Sequence, residues 1–179
     1  MENVFERLAP FIQEYIYRNG WSEIRPIQVA ACDLILNTEN NILLASGTAS
    51  GKTEAAFLPI LTDLYENPSH SVAVLYISPL KALINDQFIR IEEMLEETDI
   101  PVTKWHGDVP QNAKSKLIKN PKGILQTTPE SLEAMLMRNP GNILKLFSDL
   151  RYIVIDEVHY FMNDDRGLQI LCIIERIQR

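Results

Sequence analysis

Asn41-Ile42-Leu43-Leu44-Ala45-Ser46-Gly47-Thr48-Ala49-Ser50-Gly51-Lys52-Thr53 is the stretch on which the reading of this chain turns. Its first five residues are mostly apolar, a glycine-containing loop follows them, and a helical pattern begins at Lys52. A loop of this shape turns successive backbone N–H groups inward, and the positive end of the following helix backs them, which makes an anion-binding nest. In such a nest Lys52 reaches β- and γ-phosphates and the Thr53 hydroxyl sits on Mg2+. Gly47, Thr48, Ala49, Ser50, Gly51, Lys52 and Thr53 are therefore the expected phosphate-binding residues. Strand, loop, Gly-Lys-Thr and helix in that order argue against a loop that merely turns the chain.

The surrounding pattern fits a parallel sheet. Residues 41–45, 72–77, 102–105, 123–127 and 152–156 are short, apolar and often β-branched. Helical segments at 52–65, 81–97, 110–118 and 129–138 separate them, and 167–179 is helical again. Apolar strands alternating with helices mean a mainly parallel, doubly wound α/β sheet with helices on both faces. Upstream, Val4, Phe5, Leu8, Phe11, Ile12, Tyr15 and Ile16 recur at helical spacing up to Gly20, so one amphipathic helix is expected there. A second follows Pro26, with Ile27, Ala30, Ala31, Leu34 and Ile35 on one face. The expected division is a helical N-terminal extension over residues 1–36 and an α/β domain over 37–179. In such sheets ligands bind beyond the carboxyl ends of the strands.

Composition excludes several classes. With 179 residues, 46% hydrophobic and 23% charged, the chain is an ordinary globular domain and neither a disordered tail nor a coiled-coil rod. It holds no apolar run long enough to cross a membrane and no secretory signal pattern, so the expected location is cytoplasmic. The net charge of −7 argues against a nucleic-acid binder when taken alone, but basic and acidic residues are segregated along the chain. Cys32 and Cys172 are far apart without paired histidines, and are expected to be buried free thiols.

Tyr152-Ile153-Val154-Ile155-Asp156-Glu157-Val158-His159 ends an apolar run in two acids, which puts carboxylates at the carboxyl end of a buried strand. With an anion loop upstream, Asp156 suits Mg2+, directly or through a water, and Glu157 can orient or deprotonate an attacking water. Lys52, Asp156 and Glu157 are the expected catalytic residues, with Thr53 and Asp156 as the metal pair.

Over nearly the whole chain this combination resembles the superfamily 2 helicases and translocases of the DEAD/DEAH type. Asp156-Glu157-Val158-His159 is similar to their motif II, and Lys52-Thr53 to motif I, where Ser46 and Ala49 depart from the usual small residues. Pro79-Leu80-Lys81-Ala82-Leu83 is similar to motif Ia, Thr127-Thr128-Pro129-Glu130-Ser131 to motif Ib, and Gly20-Trp21 with Arg25-Pro26-Ile27-Gln28 to the adenine-reading Q-motif region. Residues 51–59 and 76–83 resemble the large helicase-related (Lhr-like) branch, and Arg166-Gly167 is shared with Ski-type helicases.

The resemblance implies the first RecA-like P-loop NTPase domain of an ATP-dependent helicase, using ATP and Mg2+. It implies Arg25 and Gln28 beside the nucleotide, and His159 coupling the ATP and nucleic-acid sites. Pro79, Leu80 and Lys81, His106, Gly107 and Asp108, and Thr128, Pro129 and Glu130 would lie along single-stranded or partly duplex DNA or RNA. The Thr128-Pro129 pair also reads as a helix cap whose free N–H groups hold phosphate without a cation. Trp105 reads as core more than as a stacking platform. The resemblance further implies a C-terminal second RecA-like domain as partner, without which this chain is expected to be nearly inactive. Two other readings stay open on the residues alone: a P-loop small-molecule kinase, and a non-hydrolysing nucleotide-binding interaction module.

Overall fold

The computed structural model describes residues 4–47, 50–138, 140–162 and 165–178. The chain divides into two compact units, Met1–Pro68 with Glu93–Asp99, and Ser69–Glu92 with Ile100–Arg179.

The first unit is helical. In place of one N-terminal helix there are two, α1 (Val4–Arg7) and α2 (Pro10–Arg18). Pro10 is the reason: it restricts the residue before it, and Ala9 is extended with φ −56° and ψ 147°. Gly20, at φ +62°, closes α2, with its N–H on the Tyr17 carbonyl and the Trp21 N–H on that of Ile16. α3 (Pro26–Asn37) packs on α4 (Lys52–Glu66). Its buried face is Gln28, Ala31 and Cys32, one position round from the expected face, and Ala30 and Leu34 are exposed. α4 runs through Pro59, which is buried within it.

Residues 41–45 form no strand, contrary to the sequence pattern. They are exposed or half-buried, with Leu43 76% exposed, and find no ladder partner among the described residues. An apolar run is only half of a strand, and the hydrogen-bonded neighbour is the other half.

The second unit is a parallel sheet of β1 (Val72–Ile77), β2 (Val102–Trp105), β3 (Gly123–Thr127) and β4 (Tyr152–Ile155), in the order β2-β3-β1-β4. From β1 the chain steps across β3 to β2 through α5 (Lys81–Met94), then returns through α6 (Gln111–Lys119) to β3. The step from β3 across β1 to β4 passes through α7 (Pro129–Arg138) and α8 (Ile143–Leu146), and α9 (Asp165–Gln178) follows. Right-handed crossovers running in opposite directions put their helices on opposite faces. Accordingly Lys104 on one face donates to Asn85 of α5 and lies over the Phe88 ring. Leu75, Ile77, Leu125, Ile153 and Ile155 on the other face build the core with Leu117, Leu132, Leu136, Phe147 and Ile173. Trp105 packs against this second core as expected. Cys172 is exposed, not buried, because α9 turns Ile170 and Ile173 inward; Cys32 is buried, which pushes its thiol up to about 11.

Candidate functional site

In the first unit the loop expected to bind phosphate ends at Gly51, in the left-handed region at φ +84°, just before α4. That backbone conformation favours glycine, and a Cβ there would also lie 2.6 Å from Gln28 Nε2. Gln28 is 1% exposed, and its Oε1 accepts from the Arg25 N–H at 2.9 Å, so the glutamine closes the start of α3. This is why α3 turns a polar residue inward: its amide lies under the loop, not in solvent, and the Arg25 side chain comes to 3.5 Å of the same Cβ position. Lys52 donates from Nζ to the carbonyls of Ser46 (3.0 Å) and Gly47 (2.8 Å), while the Ser46 and Ser50 hydroxyls bond each other. The hydroxyl of Ser46, a departure from the usual small residue, thus ties the loop across itself. Thr53 follows in the first turn of α4, half-buried. Thr48 and Ala49 lie outside the described residues.

In the second unit Asp156 directly follows β4, its N–H bonded to the Ile77 carbonyl at 2.9 Å. Its Oδ1 accepts from the Glu157 N–H at 3.0 Å and its Oδ2 from the Tyr76 hydroxyl at 2.6 Å. Each oxygen keeps lone-pair capacity for a further donor or ion. Tyr76 is 2% exposed, and burial, then the Asp156 charge, push its phenol well above its ordinary value. Sequence reasoning assigned Tyr76 no role, although a hydroxyl in the otherwise apolar Val72–Ile77 was a signal. Glu157 has φ +48° and ψ +47°, the one non-glycine residue with positive φ among those described. Such a conformation costs about 1–3 kcal/mol, and it persists where the surroundings impose it. Glu157 Oε2 lies 3.2 Å from His159 Nδ1, and His159 is largely exposed.

The loops after β1, β2 and β3 emerge at the same sheet edge, because Ile77 and Trp105 both pair with Thr127 in parallel register. Lys81 donates to both Asp108 oxygens at 3.1 Å, and its Nζ lies 3.3 Å from a Cβ built on Gly107. His106 is 5% exposed with neither ring nitrogen hydrogen-bonded and its Nδ1 3.9 Å from Asp108 Oδ2, and burial lowers its pKa. Thr128 caps α7 by accepting from the Ser131 N–H at 3.3 Å, with Pro129 buried behind it and Glu130 exposed. Pro79 is buried and Leu80 is exposed. Arg166 donates to Glu130 Oε1 at 2.8 Å and to the Pro79 carbonyl at 2.9 Å, a link that sequence reasoning did not find. Among the described residues no group of three or more histidine, cysteine or acidic side chains suits a metal, and no helix is long and apolar enough to cross a membrane.

Comparison with known proteins matches residues 25–179 to the family described as DEAD/DEAH box helicase. The ATP-dependent helicase Lhr-Core of Saccharolobus solfataricus is 35% identical over 187 residues, covering 97% of this chain and 21% of that protein. Among solved structures, the DUF1998 helicase MrfA bound to DNA is 26% identical with a TM-score of 0.83, over 97% of this chain and 25% of that one. A DEAD-box helicase bound to ssRNA shares the fold at a TM-score of 0.87 and 19% identity, over 99% of this chain and 38% of that one. These matches do not favour the kinase or the interaction-module reading.

Proposed function

Because the chain belongs to the DEAD/DEAH box helicase family, we propose that it is the ATP-binding first RecA-like domain of a protein that couples ATP hydrolysis to movement along DNA or RNA. Residues 1–36 would serve as the Q-motif-bearing extension and 37–179 as the domain proper. The chain spans 21% of the length of its Lhr-Core relative, and a second RecA-like domain would come from the rest of the protein.

One observation carries the reading. The acid pair Asp156–Glu157 and the loops of Pro79–Lys81, His106–Asp108 and Thr128–Glu130 share the carboxyl edge of one sheet. A kinase of small molecules would leave Gln28 and the Thr128–Pro129 cap without a task.

Amides of the Gly47–Thr53 loop would bind the phosphates, with Lys52 exchanging its two carbonyl acceptors for phosphate oxygens. Gln28 and Arg25 would meet the adenine side of the nucleotide while bracing Gly51. Mg2+ is a hard ion that takes few protein oxygens and keeps its waters, and the Asp156 carboxylate and the Thr53 hydroxyl, each in its own unit, are oxygen donors of the kind it would accept. When bound, Mg2+ would neutralise charge on the phosphates. The bonds from Tyr76 and the Glu157 N–H would orient Asp156 for this, while Glu157 would accept a proton from water and His159 would report on its carboxylate. Along the edge, the α7 N-terminus and the Ser78–Lys81 loop would take backbone phosphates, which makes the grip weakly sequence-specific.

The test is ATPase activity of the full-length protein, measured alone and with single-stranded DNA or RNA. Stimulation by at least one polymer is expected. Basal turnover that neither polymer raises would overturn the helicase reading.

A further inference from the structure

Arg166 lies outside the residues given a task above, yet it makes the widest-reaching side-chain contacts on the sheet edge. Its Nε donates to Glu130 Oε1 at 2.8 Å and its Nη2 to the Pro79 carbonyl at 2.9 Å, so one guanidinium holds the loop after β1 and the start of α7 together. Its Cζ lies over the Phe161 ring, 5.3 Å from the ring centre. Phe161 is buried and ends the 3-10 turn Val158–Phe161 that follows Asp156–Glu157, a turn opened by the Tyr160 N–H on the Glu157 carbonyl at 2.9 Å. The next residue shows why this arrangement needs a dipeptide. A Cβ on Gly167 would stand 2.1 Å from the Phe161 carbonyl oxygen, so only glycine lets the first turn of α9 close on the turn after the acid pair.

We infer that Arg166-Gly167 is the clamp that couples the acid pair to the nucleic-acid loops, with Arg166 as a positioning residue that touches neither nucleotide nor strand. The inference rests on the function proposed above. Gly167 and Phe161 fix the root of the arginine to the Asp156–Glu157 turn, and the planar fork fixes its tip to both loops. A point charge cannot hold two acceptors in that fixed geometry. Arg166 and Glu130 are 28% and 55% exposed, and an ion pair that open adds little to stability. What the fork supplies is geometry: a displacement of the Glu157 turn moves Pro79 and Glu130 with it.

The experiment uses the full-length protein and labelled oligo-dT and oligo-U strands, with strand affinity measured without nucleotide and with a non-hydrolysable ATP analogue. The ratio of the two affinities measures coupling, which between linked sites typically spans about 5–150-fold. Arg166→Ala should bring the ratio below about twofold, with nucleotide affinity and the thermal midpoint held near those of the parent. If Arg166→Ala does not fold, Arg166→Lys carries the same test, since it keeps the charge and the stem over Phe161 but loses the fork; its ratio should fall too. A variant ratio equal to the parent's overturns the clamp and leaves the function standing. An equal loss of strand affinity with and without the analogue also overturns it, by making Arg166 a plain strand or folding contact. A parent protein that binds neither strand overturns the function and the clamp together.

Discussion

At the scale of single residues, Tyr76 is the clearest case of a role that only three dimensions reveal. Its hydroxyl, 2.6 Å from Asp156 Oδ2, is a hydrogen bond to a charged acceptor inside the protein, worth about 1.5–3 kcal/mol. Partners of this kind orient the residue that holds an ion, and their loss typically lowers metal affinity by about 10–100-fold. Tyr76→Phe, which keeps the ring and its packing, should therefore raise the Mg2+ concentration needed for half-maximal ATPase by about tenfold, near the lower end because Mg2+ can be held through water. Metal-free nucleotide affinity should not change. An unmoved Mg2+ midpoint would remove Tyr76 from the site. Lys52, Asp156 and Glu157 are singled out by residue type and spacing alone; Tyr76 is not, because its partner is 80 residues away.

At the scale of elements, β3 depends on its first residue. Gly123 has φ +68°, and a Cβ on it would lie 2.2 Å from the Pro101 carbonyl oxygen, which itself accepts the Ile124 N–H at 2.9 Å. Gly123→Ala combines overpacking with a left-handed backbone and should cost about 2–4 kcal/mol, read as a lower denaturation midpoint at unchanged slope. The loop after β2 carries a pH dependence. Burial, aided by the charges of Lys81, Lys104 and Lys114 and opposed by Asp108, holds His106 below its ordinary 6.5. The unfolded chain then binds the proton more readily, so this contribution to stability is complete above pH 6.5 and is lost as the pH falls below it. The thermal midpoint should drop on acidification through that value, and drop less in His106→Asn. Equal pH slopes for both proteins would show that His106 does not titrate as its burial requires.

At the scale of the molecule, the function proposed above would give this chain phosphate-, metal- and water-positioning groups, while the two arginines that flank the acid pair in sequence, Arg151 and Arg166, are engaged elsewhere. Arg151 is bound to Asp149 at 3.2 Å, and Arg166 to Glu130 and the Pro79 carbonyl. An arginine finger contributes about 10³–10⁵ in rate. The 179-residue chain alone should therefore bind ATP and hydrolyse it at a trivial rate. Joined to the rest of its protein it should turn over, and Glu157→Gln should then abolish turnover while nucleotide binding remains. These outcomes are read by calorimetry and phosphate release. Brisk hydrolysis by the chain alone would place a finger within it or across a pair of copies.

What the sequence by itself determined is local: the succession of strands and helices in the second unit, the glycine turn that opens α4 at Lys52, and two acids following an apolar run. Each is written in residues close enough along the chain to impose a period or a turn. Tertiary structure decided what depends on distant partners. Residues 41–45 carry a strand's pattern but find no ladder among the described residues, and Gln28 turns inward because Gly51 leaves room for its amide. Arg166 binds a carbonyl 87 residues away. Periodicity tells a residue which face of its own element it occupies; what stands opposite is settled only when elements far apart in the chain pack against each other.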